Sequence, residues 1–181
     1  MTVQTAYQKA ILFAAAKHQE EEQTLPGTNL PYVVHLSNVA MEILIAGHAT
    51  GTLDLPFAIQ VALLHDVLED TATTAGELTS QFSIAVATAV AALTKNNALP
   101  KSEKMQDSLN RIRSCSKEVW AVKLADRITN LQEPPSSWSK AKRLDYVAEA
   151  HTILSFLAGA NEYLEARLQQ KIHDYEQNYC G

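Results

Sequence analysis

An all-α fold is what this sequence predicts, and three observations carry the prediction. Apolar residues recur at three- and four-residue spacing through most of the chain, no stretch of useful length alternates apolar with polar, and breakers such as Gly51 and Asp54-Leu55-Pro56 punctuate the periodic runs. The periodicity is that of helices burying one face against a shared core.

From Val3 to about Glu22, Ala6, Tyr7, Ala10, Ile11, Ala14 and Ala15 form a helical stripe, and His18 continues it as a packed core residue. Glu20, Glu21 and Glu22 end the pattern, and Leu25-Pro26-Gly27-Thr28-Asn29 reads as a loop. Pro31 and Tyr32 keep the chain extended toward His35, which is expected just before or at the start of a second helix beginning near Ser37. Leu36, Val39, Ala40, Ile43 and Leu44 give that helix its stripe, and Gly47 and Gly51 mark its exit. A third helix is expected from the cap at Asp54 and the first-turn Pro56 through to Thr71. Further helices follow at Thr73 to Gln81, Ile84 to Leu93, Ser102 to Arg113, Lys117 to Leu131, Lys140 to Leu157 and Glu162 to about Gln177, separated by the polar segment from Thr94 to Lys101 and the turn at Pro134-Pro135. His151 extends the stripe of Leu144 and Val147 and is expected to be structural, whereas His48 and His173 read as surface residues. This gives eight to ten helices in one domain over residues 1–181.

The composition narrows what the chain can do. Hydrophobic residues make up 46%, enough for a substantial core, and a formal net charge of -5 argues against polynucleotide or an anionic membrane as partner. No apolar run is long enough to span a bilayer, and no signal-like segment opens the chain, so a soluble, unprocessed protein is expected. The two cysteines, Cys115 and Cys180, are far apart and outside any Cys-x-x-Cys spacing, which fits a reducing cytoplasm.

Chemistry concentrates in Leu63-Leu64-His65-Asp66-Val67-Leu68-Glu69-Asp70-Thr71. On a continuous helix His65, Glu69, Asp66 and Asp70 fall at roughly 0°, 40°, 100° and 140°, on one face, opposite Val61, Leu64 and Leu68. Three carboxylates and an imidazole so close together need protons or a cation among them, and a divalent metal is the common solution. Asp126, in an otherwise apolar helix, is costly to bury unless paired or bound to metal, and Asn130 lies one turn beyond it. Gathered from three segments, His35, His65, Asp66 and Asp126 make a mixed nitrogen and oxygen donor set suited to Mn²⁺, Fe²⁺ or Zn²⁺. On spacing and composition alone, the reading ends at a metal-dependent phosphohydrolase.

Three segments carry the reading further: Pro31-Tyr32-Val33-Val34-His35, Ala62 through Thr71, and Val122-Lys123-Leu124-Ala125-Asp126-Arg127-Ile128-Thr129-Asn130-Leu131. In that order they resemble the signatures of the Rel/Spo hydrolase branch of the HD superfamily, and the chain length is similar to that of the small stand-alone hydrolases of the metazoan SpoT homologue type. The resemblance runs from about Tyr7 to the last helix. It implies a single HD domain and a Mn²⁺-dependent 3′-pyrophosphohydrolase that converts (p)ppGpp and water to GDP or GTP and pyrophosphate. No residues are left for a synthetase or regulatory domain, so the hydrolase is expected to be unopposed.

Carried over position by position, the resemblance makes His35, His65, Asp66 and Asp126 metal ligands and Glu69 and Asp70 the acidic pair that positions or deprotonates the attacking water. Asn130 matches a nucleotide-contacting asparagine. For the substrate's phosphates Lys95, Lys101 and Arg143 are the cations of choice, with Tyr146 beside Arg143, and Lys123 and Arg127 follow as weaker candidates.

Two positions depart from the family pattern. Where the family carries an Arg/Lys-rich stretch that includes a base-stacking arginine, this chain reads Gln19-Glu20-Glu21-Glu22-Gln23-Thr24-Leu25-Pro26-Gly27, and the usual proline after the first histidine is Leu36. The first departure leaves open an adenine alarmone as substrate. An HD phosphatase acting on another nucleotide, such as the 2′-phosphate of NADPH or a nucleoside monophosphate, also stays open, as does a non-catalytic nucleotide sensor.

Overall fold

The helix at the centre is α3 (Leu55–Leu64), whose sequence Leu-Pro-Phe-Ala-Ile-Gln-Val-Ala-Leu-Leu has no polar face and is buried from Ala58 to Leu64. A helix apolar all round belongs inside a core. Around it, in a computed structural model that describes residues 1–181, stand α1 (Val3–Glu20), α2 (Val33–Thr50), α6 (Ile84–Leu93) and α8 (Lys117–Asn130), all packed directly on α3. The remaining helices are α4 (Val67–Asp70), α5 (Ala75–Gln81), α7 (Lys101–Arg113), α9 (Lys140–Phe156) and α10 (Glu162–Tyr179). There is no sheet; one isolated antiparallel bridge, Thr24 to Pro31, closes the loop between α1 and α2. One contiguous apolar core runs from Ala10 to Cys180. The fold is all-α, as the periodicity predicts.

Local chemistry explains the element ends. Asp54 caps α3 by accepting from the Phe57 amide at 3.3 Å, and a cap of this kind contributes about 1 kcal/mol. Gly51 takes the left-handed conformation at φ 64° and ends α2, a position that favours glycine. Gly47 is needed for another reason: a Cβ there would lie 2.4 Å from Leu55 Cδ2, so its lack of a side chain lets α2 approach the start of α3. On the far side α10 packs on α9, α8 and α2, pinned by Arg167 Nη2 to the buried Glu42 at 3.2 Å and by Asn161 Nδ2 to Thr50 Oγ1 at 2.8 Å.

Three expectations need correction. The second helix begins at Val33, not Ser37, so His35 sits inside its first turn; Tyr32 precedes it in helical conformation with no side-chain cap. The helix expected to run unbroken to Thr71 is interrupted at His65 and Asp66, with α4 starting again at Val67. Aspartate competes with the helix backbone, and Asp66 is committed elsewhere, to Tyr32 and His65. Finally, His151 is exposed, pairing with Glu176 at 3.4 Å, because the buried face of α9 runs through Val147, Ala150 and Ile153 and leaves position 151 to solvent.

Candidate metal centre and nucleotide cleft

The break after Leu64 is what assembles the site. Neighbouring residues on a regular helix do not face each other, yet here His65 Nε2 comes 2.9 Å from Asp66 Oδ2. His65 Nδ1 lies 2.8 Å from the Ala62 carbonyl, which accepts its proton, so Nε2 is the nitrogen turned into the cluster. From the first turn of α2, His35 Nε2 approaches His65 Nε2 to 3.4 Å, and from the middle of α8 Asp126 Oδ1 lies 3.4 Å from His35 and 3.7 Å from His65. Asp66 Oδ2 is 3.8 Å from His35 Nε2. His35, His65 and Asp126 are buried and offer three donor atoms, all within 4.8 Å of one another. Two facing imidazole nitrogens flanked by carboxylates are a donor set that fits a divalent cation.

The electrostatics show what the cluster does without one. Burial opposes a charge on His65, but Asp66 and Asp126 outweigh it and raise its pKa well above that of a free imidazole. Burial would raise Asp66, yet His65 and the Tyr32 hydroxyl bring it down to about 2. Asp126 is likewise held well below the usual carboxylate range against its burial, first by Lys123, whose Nζ lies 2.9 Å from Oδ2. The carboxylates are therefore ionised throughout the physiological range and demand positive charge.

One turn beyond, α4 presents Glu69 and Asp70 to the same cavity, of about 260 Å³, lined also by Tyr32, Lys95, Lys123 and Asn130. Both oxygens of Glu69 are engaged by Lys95: its backbone N–H donates at 2.9 Å and its Nζ at 2.8 Å. Burial works against the charge on Lys95, but Glu69 prevails and its pKa is raised. Asp70 has no such partner; burial and the neighbouring Asp66 and Glu69 push its pKa up to about 6.

This shift makes a stability prediction. Because the folded pKa lies above the ordinary value of 3.8, the folded state holds the proton more tightly, and stability is lost as pH rises from about 4 to about 6. Asp70→Asn removes that loss. Allowing for the partial exposure of the site, metal-free Asp70→Asn should gain about 1 kcal/mol over wild type above pH 6 and nothing near pH 4, measured by urea unfolding in chelator. A gain of equal size at both pH values would show that the carboxylate's charge is not its source.

A second cavity, of about 420 Å³, opens beside the first and shares Asn130 with it. Leu25, Pro26, Val34, Pro134, Trp138 and Tyr146 give it an apolar and aromatic wall, and His35 of the histidine and aspartate cluster also lines it. Tyr146 is held edge-on to Trp138 at 5.1 Å between ring centroids, and the buried Arg127 guanidinium lies 4.3 Å over its ring.

Of the residues expected at the site, His65, Asp66, Asp126, Glu69, Asp70, Lys95 and Asn130 line the first cavity, and His35, Asn130 and Tyr146 the second. Lys101 and Arg143 line neither: Lys101 is exposed on the first turn of α7, and Arg143 sits on α9 with its Nε buried and unpartnered. Asn130 is turned onto the site itself, donating through Nδ2 to Asp126 Oδ1 at 2.5 Å. Sequence reasoning assigned no role to Tyr32, whose hydroxyl donates to Asp66 Oδ2 at 2.5 Å, and it did not single out Trp138. Tyr32 stands one turn before His35, a spacing that could have flagged it.

Comparison with known proteins agrees with this geometry. The HD domain family model matches residues 10–162. The guanosine-3′,5′-bis(diphosphate) 3′-pyrophosphohydrolase MESH1 of Danio rerio is 36% identical over 167 residues, covering 90% of this chain and 89% of the relative. Its Homo sapiens counterpart is 35% identical over 162 residues, covering 87% of each. Among solved structures, a metazoan ortholog of SpoT described as hydrolysing ppGpp superimposes with a TM-score of 0.78 at 26% identity, covering 97% of both chains. By its matched span and by the extent of these alignments, the chain belongs to the HD-domain family and stands within it beside the MESH1 hydrolases.

Proposed function

We propose that this chain is a Mn²⁺-dependent guanosine-3′,5′-bis(diphosphate) 3′-pyrophosphohydrolase, converting (p)ppGpp and water to GDP or GTP and pyrophosphate, with residues 1–181 acting as one HD domain. The observation that carries the reading is the junction at Asn130, where a cavity of metal-ligand and acidic side chains meets an aromatic cavity of nucleoside size. Relatives covering most of the chain bear the same activity in their names.

His35, His65, Asp66 and Asp126 would hold the cation; mixed imidazole and carboxylate donors also suit Fe²⁺ or Zn²⁺. When bound, it would acidify a water and polarise a phosphoryl oxygen. The protein's own residues do the rest. Asp70, whose pKa in the metal-free protein is pushed up to about 6 by burial, Asp66 and Glu69, stands in the same cavity as the carboxylate to accept the proton of the attacking water. Glu69 orients Lys95, whose ammonium is placed to meet the negative charge of the leaving pyrophosphate. Trp138 and Tyr146 give the second cavity an aromatic lining for a purine, and Asn130 lines both halves. No covalent intermediate is required.

The residues that the Gln19–Gly27 stretch supplies to the aromatic cavity, Leu25 and Pro26, carry no charge, so base stacking falls to Trp138 and Tyr146. Aromatic faces do not discriminate purines strongly, which keeps an adenine alarmone as a second substrate to be assayed alongside the first. The small nucleotide is the partner proposed; the net charge of -5 argues against polynucleotide, and no helix is long and apolar enough to cross a membrane. Cys115 and Cys180 are both free, which suits a reducing cytoplasm.

The decisive experiment is chromatography of the products after incubation with ppGpp and Mn²⁺. GDP and pyrophosphate in equal amounts are expected. Orthophosphate as the released product would replace the proposal with a phosphatase, and intact ppGpp would remove it.

A further inference from the structure

The geometry points to Tyr32 as a positioning residue that preorganises the cation site, by fixing Asp66 through its hydroxyl and backing His35 with its ring. The inference rests on the reading of His35, His65, Asp66 and Asp126 as cation ligands.

Tyr32 touches two of the four at once. Its hydroxyl donates to Asp66 Oδ2 at 2.5 Å, the same oxygen that faces His65 Nε2 at 2.9 Å and His35 Nε2 at 3.8 Å. A carboxylate oxygen has two acceptor directions, so the phenol can occupy one and leave the other for a cation. The ring of Tyr32 packs against the His35 ring at 5.3 Å between centroids, and the His35 amide donates to the Tyr32 carbonyl at 2.9 Å. One residue thus sets the rotation of Asp66 and the seat of His35.

Tyr32 is itself immobilised. The ring of the buried His18 also packs against it at 4.8 Å, and the Tyr32 backbone N–H donates to the Gln23 carbonyl at 3.2 Å. The Gln23 side chain completes the frame: Oε1 lies 2.5 Å from His18 Nδ1, and Nε2 donates to the Asp70 carbonyl at 2.8 Å. The end of α1, the loop closed by the Thr24 to Pro31 bridge, and the end of α4 are therefore tied together around one phenol. Groups that orient ligands from outside typically change metal affinity by about 10- to 100-fold when removed.

The hydroxyl also lines the cavity, so contact with substrate is the competing role. Mn²⁺ titration without nucleotide separates the two. Tyr32→Phe keeps the ring between His18 and His35 and deletes only the donor. Tyr7→Phe is the matched control: its hydroxyl bonds Ser37 Oγ at 3.0 Å between α1 and α2, away from the cavity. By calorimetry, Tyr32→Phe should bind Mn²⁺ about 10- to 100-fold more weakly than wild type, and Tyr7→Phe should match wild type. Saturating Mn²⁺ should return kcat of Tyr32→Phe to within a few-fold of wild type with KM unchanged. Unaltered Mn²⁺ affinity with a raised KM would make Tyr32 a substrate contact and overturn the inference. So would an affinity loss matched by a fall in the metal-free melting temperature, which would leave the hydroxyl a structural role only. Wild type that binds no Mn²⁺ at all would overturn this inference together with the reading beneath it.

Discussion

Replacing Asp66 with alanine is expected to abolish Mn²⁺ binding at micromolar concentrations and to lower ppGpp hydrolysis by more than about a thousandfold, the scale of several kcal/mol of transition-state stabilisation. The carboxylate supplies the oxygen closest to His65, at 2.9 Å, and it is already ionised at any physiological pH, held down to about 2 by His65 and Tyr32 against its burial. Its loss leaves two imidazoles 3.4 Å apart with Asp126 as the one remaining counter-charge among the four. The metal-free variant should stay folded, because Asp66 lies outside the apolar core and caps α4 with no side-chain bond to its backbone. Calorimetric titration and product chromatography together check the outcome. Wild-type turnover in a variant that binds no metal would mean that the reaction proceeds elsewhere.

Glu69→Gln is expected to behave in the opposite way on the first measurement and similarly on the second. Mn²⁺ affinity should stay within a few-fold of wild type, since Glu69 stands beyond the four proposed ligands, while kcat falls by about 10²- to 10⁴-fold. The reason is visible in its bonds. Glu69 grips the Lys95 amide at 2.9 Å and the Lys95 ammonium at 2.8 Å, and a neutral amide can keep one of these but cannot pair the ammonium. Lys95 and the acidic pair then lose their alignment across the cavity. A rise in KM with kcat intact would reduce Glu69 to an anchor for the loop after α6.

Much of this site is legible in the linear chain. Helical periodicity places most of the elements within a few residues, because each helix buries a stripe on the core around α3. The segments holding His35, His65, Asp66 and Asp126 stand out as polar side chains inside apolar runs, and Glu69 and Asp70 line the same cavity as His65 and Asp66 although the continuous helix expected to align them is broken. What stays hidden depends on three dimensions. The start of α2 at Val33 carries no capping side chain, so nothing in the sequence marks it. The interruption at His65 and Asp66 coincides with a bond between Asp66 and Tyr32, thirty-four residues away, which no local propensity records. Charge alone recommends Lys101 and Arg143, yet where a helix places its lysine or arginine is decided by neighbours, and here neither lines the cleft. Lys123 and Asn130, by contrast, reach Asp126 over three and four residues, the short-range geometry that helices make predictable.

The gap in the ladder between α3 and α4 also divides the site by depth. His65 terminates a rod sealed in the middle of the molecule, while Glu69 and Asp70 ride a single short turn and are only partly covered. The nitrogen donor is thus anchored in the interior, and the acids stand at the rim, where water and an arriving nucleotide meet them first.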